Sequence, residues 1–131
     1  MDVFTLDKVI LPVHVNGNHW TLGIINLKQR RFEYYDSLGG RNPLCLQHMK
    51  QWTIDEITAH HPTQVAALDI PSWESLHVTD IPRQNNGSDC GVFTIKFADY
   101  ASEDRPFNFT HRDMPYFRRR IALEILFQRV L

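Results

Sequence analysis

The sequence predicts an α+β fold. Strand-like apolar runs crowd its first third, joined by short polar links, and the apolar period later lengthens to that of a helix. The chain has 131 residues, 43% hydrophobic and 22% charged, which suits one globular domain able to bury a core.

Lys8 to Val15 is β-branched and apolar and reads as a strand, with Pro12 marking an edge, a bulge or a break. Asn16-Gly17-Asn18 is a turn signal. Trp20 to Leu27 is almost continuously apolar, as in a buried strand. After the polar link Lys28-Gln29-Arg30, residues Arg31 to Asp36 alternate, with Phe32 and Tyr34 on one side and Glu33 and Tyr35 on the other. Three strands with links this short imply a largely antiparallel meander. Gly39-Gly40-Arg41-Asn42-Pro43 breaks the pattern. Leu44 to Ala59 carries Cys45, Met49, Trp52 and Ile57 near helical spacing, and His60 to Thr63 ends that helix. Trp73, Leu76 and Val78 suggest a short strand closed by Ile81-Pro82. From Cys90 onward Cys90, Phe93, Phe97 and Tyr100 share one helical face, with Ser88 or Asp89 as N-cap. A last helix runs from about Asp113 to Val130. Pro115 is tolerated in its first turn, and Phe117, Ile121, Ile125 and Leu126 form its buried stripe.

Composition narrows the function classes. Fourteen basic and 15 acidic residues leave a formal charge of -1, so nucleic-acid binding is not expected. The N-terminus lacks the basic and apolar regions of a signal peptide, and no run approaches the ~18 apolar residues of a membrane span. A soluble monomer in a reducing compartment is expected, so the sequons at Asn86 and Asn108 should stay unmodified. Two cysteines leave room for one bridge, a metal-ligand pair or one reactive thiol. Cys45, His48, His60, His61 and His77 do not follow a zinc-ligand spacing, so neither metal nor cofactor is expected. Arg118-Arg119-Arg120 reads as a solvated face, and Asp113 and Arg118 as ordinary surface charge.

The strongest chemical feature is Cys90. A cysteine in the first turn of a helix feels the positive end of the macrodipole, which favours thiolate; the bland alternative is a buried structural cysteine. A cysteine nucleophile needs a base and an orienter. His19 opens the second strand and Asp36 closes the third. If those strands are antiparallel neighbours, both residues come to the same end of the sheet. Each alone reads as a solvated turn residue; with Cys90 they fit a Cys–His–Asp triad. Gln84, six positions before Cys90 on the preceding loop, could share an oxyanion hole with the Cys90 N–H.

His19-Trp20, Tyr35-Asp36-Ser37 and Gln84-Asn85-Asn86-Gly87-Ser88-Asp89-Cys90-Gly91 occur in that order. Together they closely resemble the SUMO-specific, ubiquitin-like-protein-specific protease family of cysteine peptidases. Asn108-Phe109-Thr110 and Met114-Pro115-Tyr116-Phe117-Arg118 look like that family's C-terminal segment, and the similarity runs from about Val3 to Leu131. The resemblance implies a papain-like architecture, a central mostly antiparallel sheet flanked by helices. It implies His19 as general base, Asp36 as its orienter, Cys90 as nucleophile and Gln84 as oxyanion donor. Trp20, otherwise a core aromatic, would line a narrow tunnel for the substrate's Gly-Gly tail, which rejects bulkier residues. The implied reaction is cleavage after the modifier's C-terminal glycine: deconjugation of SUMO from lysines, and maturation of precursors. Implied partners are SUMO and its conjugates, and the implied location is nuclear or nucleocytoplasmic. The family's catalytic domain is longer, so residues 1–131 are expected to be a single, N-terminally truncated domain. Two other readings remain at this point: specificity for another ubiquitin-like modifier, and an inactive SUMO-binding or regulatory fragment.

Overall fold

The computed structural model describes residues 1–131. Four strands form one sheet in the order β1 (Lys8–Val15), β2 (His19–Asn26), β3 (Arg31–Tyr35), β4 (Glu74–His77). The first three form the antiparallel meander, with Val15 opposite His19 and Leu22 opposite Tyr35. β1 is an edge strand, which accommodates Pro12 without losing a ladder bond inside the sheet. β4 runs parallel to β3, with Tyr34 opposite His77. A parallel neighbour needs a long crossover, here α1 (Pro43–His60), the single turn α2 (Val65–Leu68) and short 3-10 turns. α3 (Cys90–Ser102) and α4 (Met114–Phe127) follow.

Helices cover both faces of the sheet, which explains why β2 reads as an unbroken apolar run. On one face Leu22, Ile24 and Tyr35 pack against Phe93 and Phe97 of α3 and Met114 and Phe117 of α4. Phe109, in the loop between those helices, lies edge-on to Tyr100, 4.9 Å between centroids, and to Phe117, 5.6 Å. On the other face Ile25, Phe32 and Tyr34 meet Leu46, Met49 and Ile57 of α1. A Cβ on Gly23 would lie 2.9 Å from the Met49 sulfur, so α1 approaches β2 closely there and a larger residue would have to displace the Met49 side chain.

Several expectations need correction. Trp52 is 41% exposed, because the buried face of α1 is Leu46, Met49, Thr53 and Ile57, and Trp52 turns off it. Trp73 is buried but precedes β4, while the Val78 N–H extends the ladder by donating to the Tyr34 carbonyl. α4 ends at Phe127, where Gln128 adopts a left-handed conformation (φ 54°) and donates to the Glu124 and Ile125 carbonyls. Only Met114 and Phe117 of α4 are buried and Ile121 is half-buried, whereas Ile125 and Leu126 are 71% and 72% exposed. No element of this chain covers the last turns of α4. Asp89 occupies the N-cap position of α3 but makes no capping hydrogen bond.

Candidate functional site

The antiparallel pairing of β2 and β3 brings the start of one strand beside the end of the other. His19 and Asp36 meet there, with His19 Nε2 2.7 Å from Asp36 Oδ1. Both side chains are largely buried. A carboxylate oxygen accepts, so Nε2 carries the shared proton, and in the neutral imidazole Nδ1 is then the acceptor. Asp36 is fixed in turn: its Oδ1 also accepts the Leu38 N–H at 2.8 Å. A Cβ on Gly40 would stand 2.6 Å from Asp36 Oδ2, so glycine is what lets the turn fold over the carboxylate.

Cys90 is the first residue of α3, with its side chain buried. α3 packs across β2. Its first turn faces the indole of Trp20, and a Cβ on Gly91 would lie 3.9 Å from Trp20 Cδ1. Cys90 Sγ makes no hydrogen bond to His19 in this structure. What joins them is the shared corner where β2 begins and α3 begins. The N–H groups of Cys90, Gly91 and Val92 have no acceptor; the first N–H of the helix that is satisfied is Phe93, donating to the Asp89 carbonyl at 3.0 Å. The thiol thus sits among free donors at a helix N-terminus.

Gln84 is buried, and its amide is held at both ends. Ser37 Oγ donates to Gln84 Oε1, and Gln84 Nε2 donates to the Asn86 carbonyl at 2.6 Å. The Gln84 N–H donates to the Ser37 carbonyl at 3.0 Å, tying this loop to the turn that follows Asp36. One Gln84 amide hydrogen stays free. Trp20 is not a core aromatic: it is 42% exposed and stacks on His14, 4.4 Å between ring centroids. With Cys90, Gly91, Ile95 and Ile121 it lines an apolar cleft of about 430 Å³.

This geometry accompanies strong similarity to characterised proteins. The model of the Ulp1 protease family, C-terminal catalytic domain, matches residues 1–130. The chain belongs to the Ulp1 protease family. Ubiquitin-like-specific protease 1A of Arabidopsis thaliana is 42% identical over 120 residues, covering 92% of this chain and 23% of that protein. Sentrin-specific protease 2 of Mus musculus is 36% identical over 131 residues, covering 100% of this chain and 22% of the relative. Among solved structures, the C-terminal Ulp1 protease domain in complex with Smt3, the yeast ortholog of SUMO, superposes with a TM-score of 0.71. It is 33% identical, over 96% of this chain and 55% of that one. The chain therefore spans less than a quarter of these two relatives and about half of the solved domain.

The α+β architecture agrees with that of the Ulp1 domain. Three residues of the corner escaped sequence reasoning. Ser37, which orients Gln84, had one local signal, its place directly after Asp36. In the sequence Asn86 is a sequon and part of the Gln84–Gly91 motif without a role of its own; in the fold its Oδ1 accepts the Ser88 and Asp89 N–H groups, each at 3.0 Å, and its Nδ2 donates to Asp89 Oδ2 at 2.8 Å. Arg118 is not ordinary surface charge: it donates to Asp89 Oδ1 from Nη2 at 2.6 Å and from Nε at 3.0 Å. No local pattern could have shown a partner 29 positions away. The Asn86 bond first, then Arg118, holds the Asp89 carboxyl below its ordinary range. Asp113 has a local task, closing a capping box with Thr110.

Proposed function

We propose that this chain carries a thiol-protease site that cleaves after the C-terminal Gly-Gly of SUMO, releasing it from lysines and maturing its precursors. The observation that supports this most is the His19–Asp36 contact at 2.7 Å, made through Nε2. It leaves Nδ1 as a base at the corner where α3 presents Cys90. In this reading Cys90 passes its proton to His19 as sulfur attacks the glycine carbonyl carbon. The negative oxygen that develops is met by the Cys90 N–H and the free hydrogen of the Gln84 amide. The imidazolium then gives its proton to the departing lysine amine, and water hydrolyses the thioester. Asp36 orients the imidazole and stabilises its charged form. Trp20 forms one wall of the approach to Cys90. A Gly-Gly tail has no side chains to collide with that wall, whereas bulkier residues do.

The relatives named above support the choice of SUMO, as does the solved complex with Smt3. We place the activity in the nucleus or nucleocytoplasm; no helix of the chain is long and apolar enough to cross a membrane. The deciding experiment uses SUMO ending in a vinyl sulfone, which traps a thiolate beside the bound tail. A covalent adduct on Cys90 is expected. Adduct formation solely with a different ubiquitin-like modifier would transfer the specificity to that modifier. A folded chain unlabelled by any modifier would mark a regulatory fragment.

A further inference from the structure

The first turn of α3 is left uncapped although a good capping residue stands in the right place. Aspartate is among the preferred N-cap residues, its carboxylate ordinarily accepting N–H bonds from the first turn. Asp89 sits at that position with φ -94° and ψ 4°, and its carboxylate is turned away. One oxygen takes Arg118 Nη2 and Nε; the other takes Asn86 Nδ2. The Ser88 carbonyl, one turn before Val92, is also diverted: it accepts Arg118 Nη2 at 3.0 Å rather than the Val92 N–H. Arg118 thus grips both groups that could silence the donors around Cys90.

We propose that Arg118 is a positioning residue whose guanidinium keeps Asp89 from capping α3, so that the helix N-terminus stays open for the Cys90 thiolate and the oxyanion. This rests on the assignment of Cys90 as nucleophile and concerns how its reactivity is maintained. Two physical consequences follow from losing Arg118. The Asp89 carboxylate gains unsatisfied N–H groups within one turn and moves to them, filling the donors that an oxyanion would use. It also carries an uncompensated negative charge toward Cys90, which disfavours thiolate. The other charged or titratable groups at this corner are His19 from β2 and Asp36 following β3, and neither contacts Arg118. The sequence neighbours Arg119 and Arg120 do not substitute: Arg120 is engaged by Tyr116 and Glu124 on the far side of α4.

The test reads the thiolate directly. In a Cys45→Ser background Cys90 is the sole thiol, and iodoacetamide alkylation is followed at about pH 7 and about pH 10. The ratio of the two rates cancels accessibility and reports the thiolate fraction. Arg118→Ala is expected to lower that ratio about tenfold. The Arg118→Ala/Asp89→Ala double variant removes both charges and the capping group, and is expected to return most of it. On a SUMO substrate Arg118→Ala should lower kcat at least about tenfold while KM changes by less than about twofold. A wild-type ratio in Arg118→Ala overturns the proposal. A double variant as impaired as the single one also overturns it, because general loosening of α4 would not be repaired by a second truncation. Alkylation needs no modifier. The expected alkylation pattern without turnover of any SUMO substrate would therefore sink the proposed function and leave the positioning role standing.

Discussion

Two helices of this protein carry a cysteine in their first turn, and the chain treats them in opposite ways. α1 is capped by Asn42, whose Oδ1 accepts the Cys45 N–H at 3.1 Å. Cys45 is half-buried beside an apolar cluster, and burial pushes its thiol up, away from the reactive form. α3 has Asp89 at its N-cap position, but that carboxylate is held by Asn86 and Arg118, and the donors of the first turn stay open around Cys90. A helix N-terminus alone therefore does not distinguish the two thiols. What separates the two is the fate of the first-turn N–H groups and whether a carboxylate-held imidazole shares the corner. His19, held by Asp36, is present at the second helix; the imidazole at the start of the first, His77, has its Nε2 taken by the Asn42 N–H and no carboxylate behind it.

Substitution should break this contrast first at the thiols. Cys90→Ser is expected to abolish turnover of a SUMO substrate, because a hydroxyl is not ionised where a thiol can be. Cys45→Ser should leave kcat/KM nearly unchanged, and inactivation by alkylation solely through Cys45 would reverse the assignment. Next in size, His19→Ala should cost ~10²–10⁴-fold in kcat, the usual range for a general base. Gln84→Ala should cost about 10²–10³-fold in kcat; a change confined to KM would remove its oxyanion role.

The capped helix gives the smaller effects. Asn42→Ala should lower folding stability by about 1 kcal/mol, read from the denaturant midpoint, with kcat unchanged. Asn42 also donates its own N–H to His77 Nε2 at 2.8 Å. Burial first, and the charge of Arg41 second, hold His77 below its ordinary value of 6.5. A group lowered on folding stabilises above its unfolded value and loses that contribution as pH falls. The start of α1 should therefore exchange amide hydrogens faster at about pH 5 than at neutral pH, after correction for intrinsic rates. The acceleration should vanish in His77→Gln. Asp89, also lowered, keeps its contacts to far more acid pH, so the Cys90 corner should resist the same acidification.

Regular elements were readable where local patterning and packing agree. β1, β2 and β3 lie within a residue or two of their sequence limits, because turn signals bound each apolar run and both faces of the sheet are covered. β4 was harder to place: a four-residue strand carries almost no period, and its direction depends on the crossover. α4 misled for another reason. Ile121, Ile125 and Leu126 continue the spacing set by Phe117, and spacing predicts a face without saying that anything covers it.

Within the site, the division runs between chemistry and contact. Residue type and order alone determined the candidates His19, Asp36, Gln84 and Cys90, because a nucleophile, base, orienter and amide donor each demand a particular side chain. Pairing of adjacent antiparallel strands brings His19 to Asp36, and that step is local enough to foresee. Only the tertiary structure decided that Ser37 sets the Gln84 amide, that Trp20 stands exposed over Gly91, and that Arg118 withdraws Asp89 from the helix it should cap. Those outcomes depend on charges and hydrogen-bond partners that meet across the fold, from separate helices and loops. A hydrogen bond between residues far apart in the chain leaves no periodic trace along it.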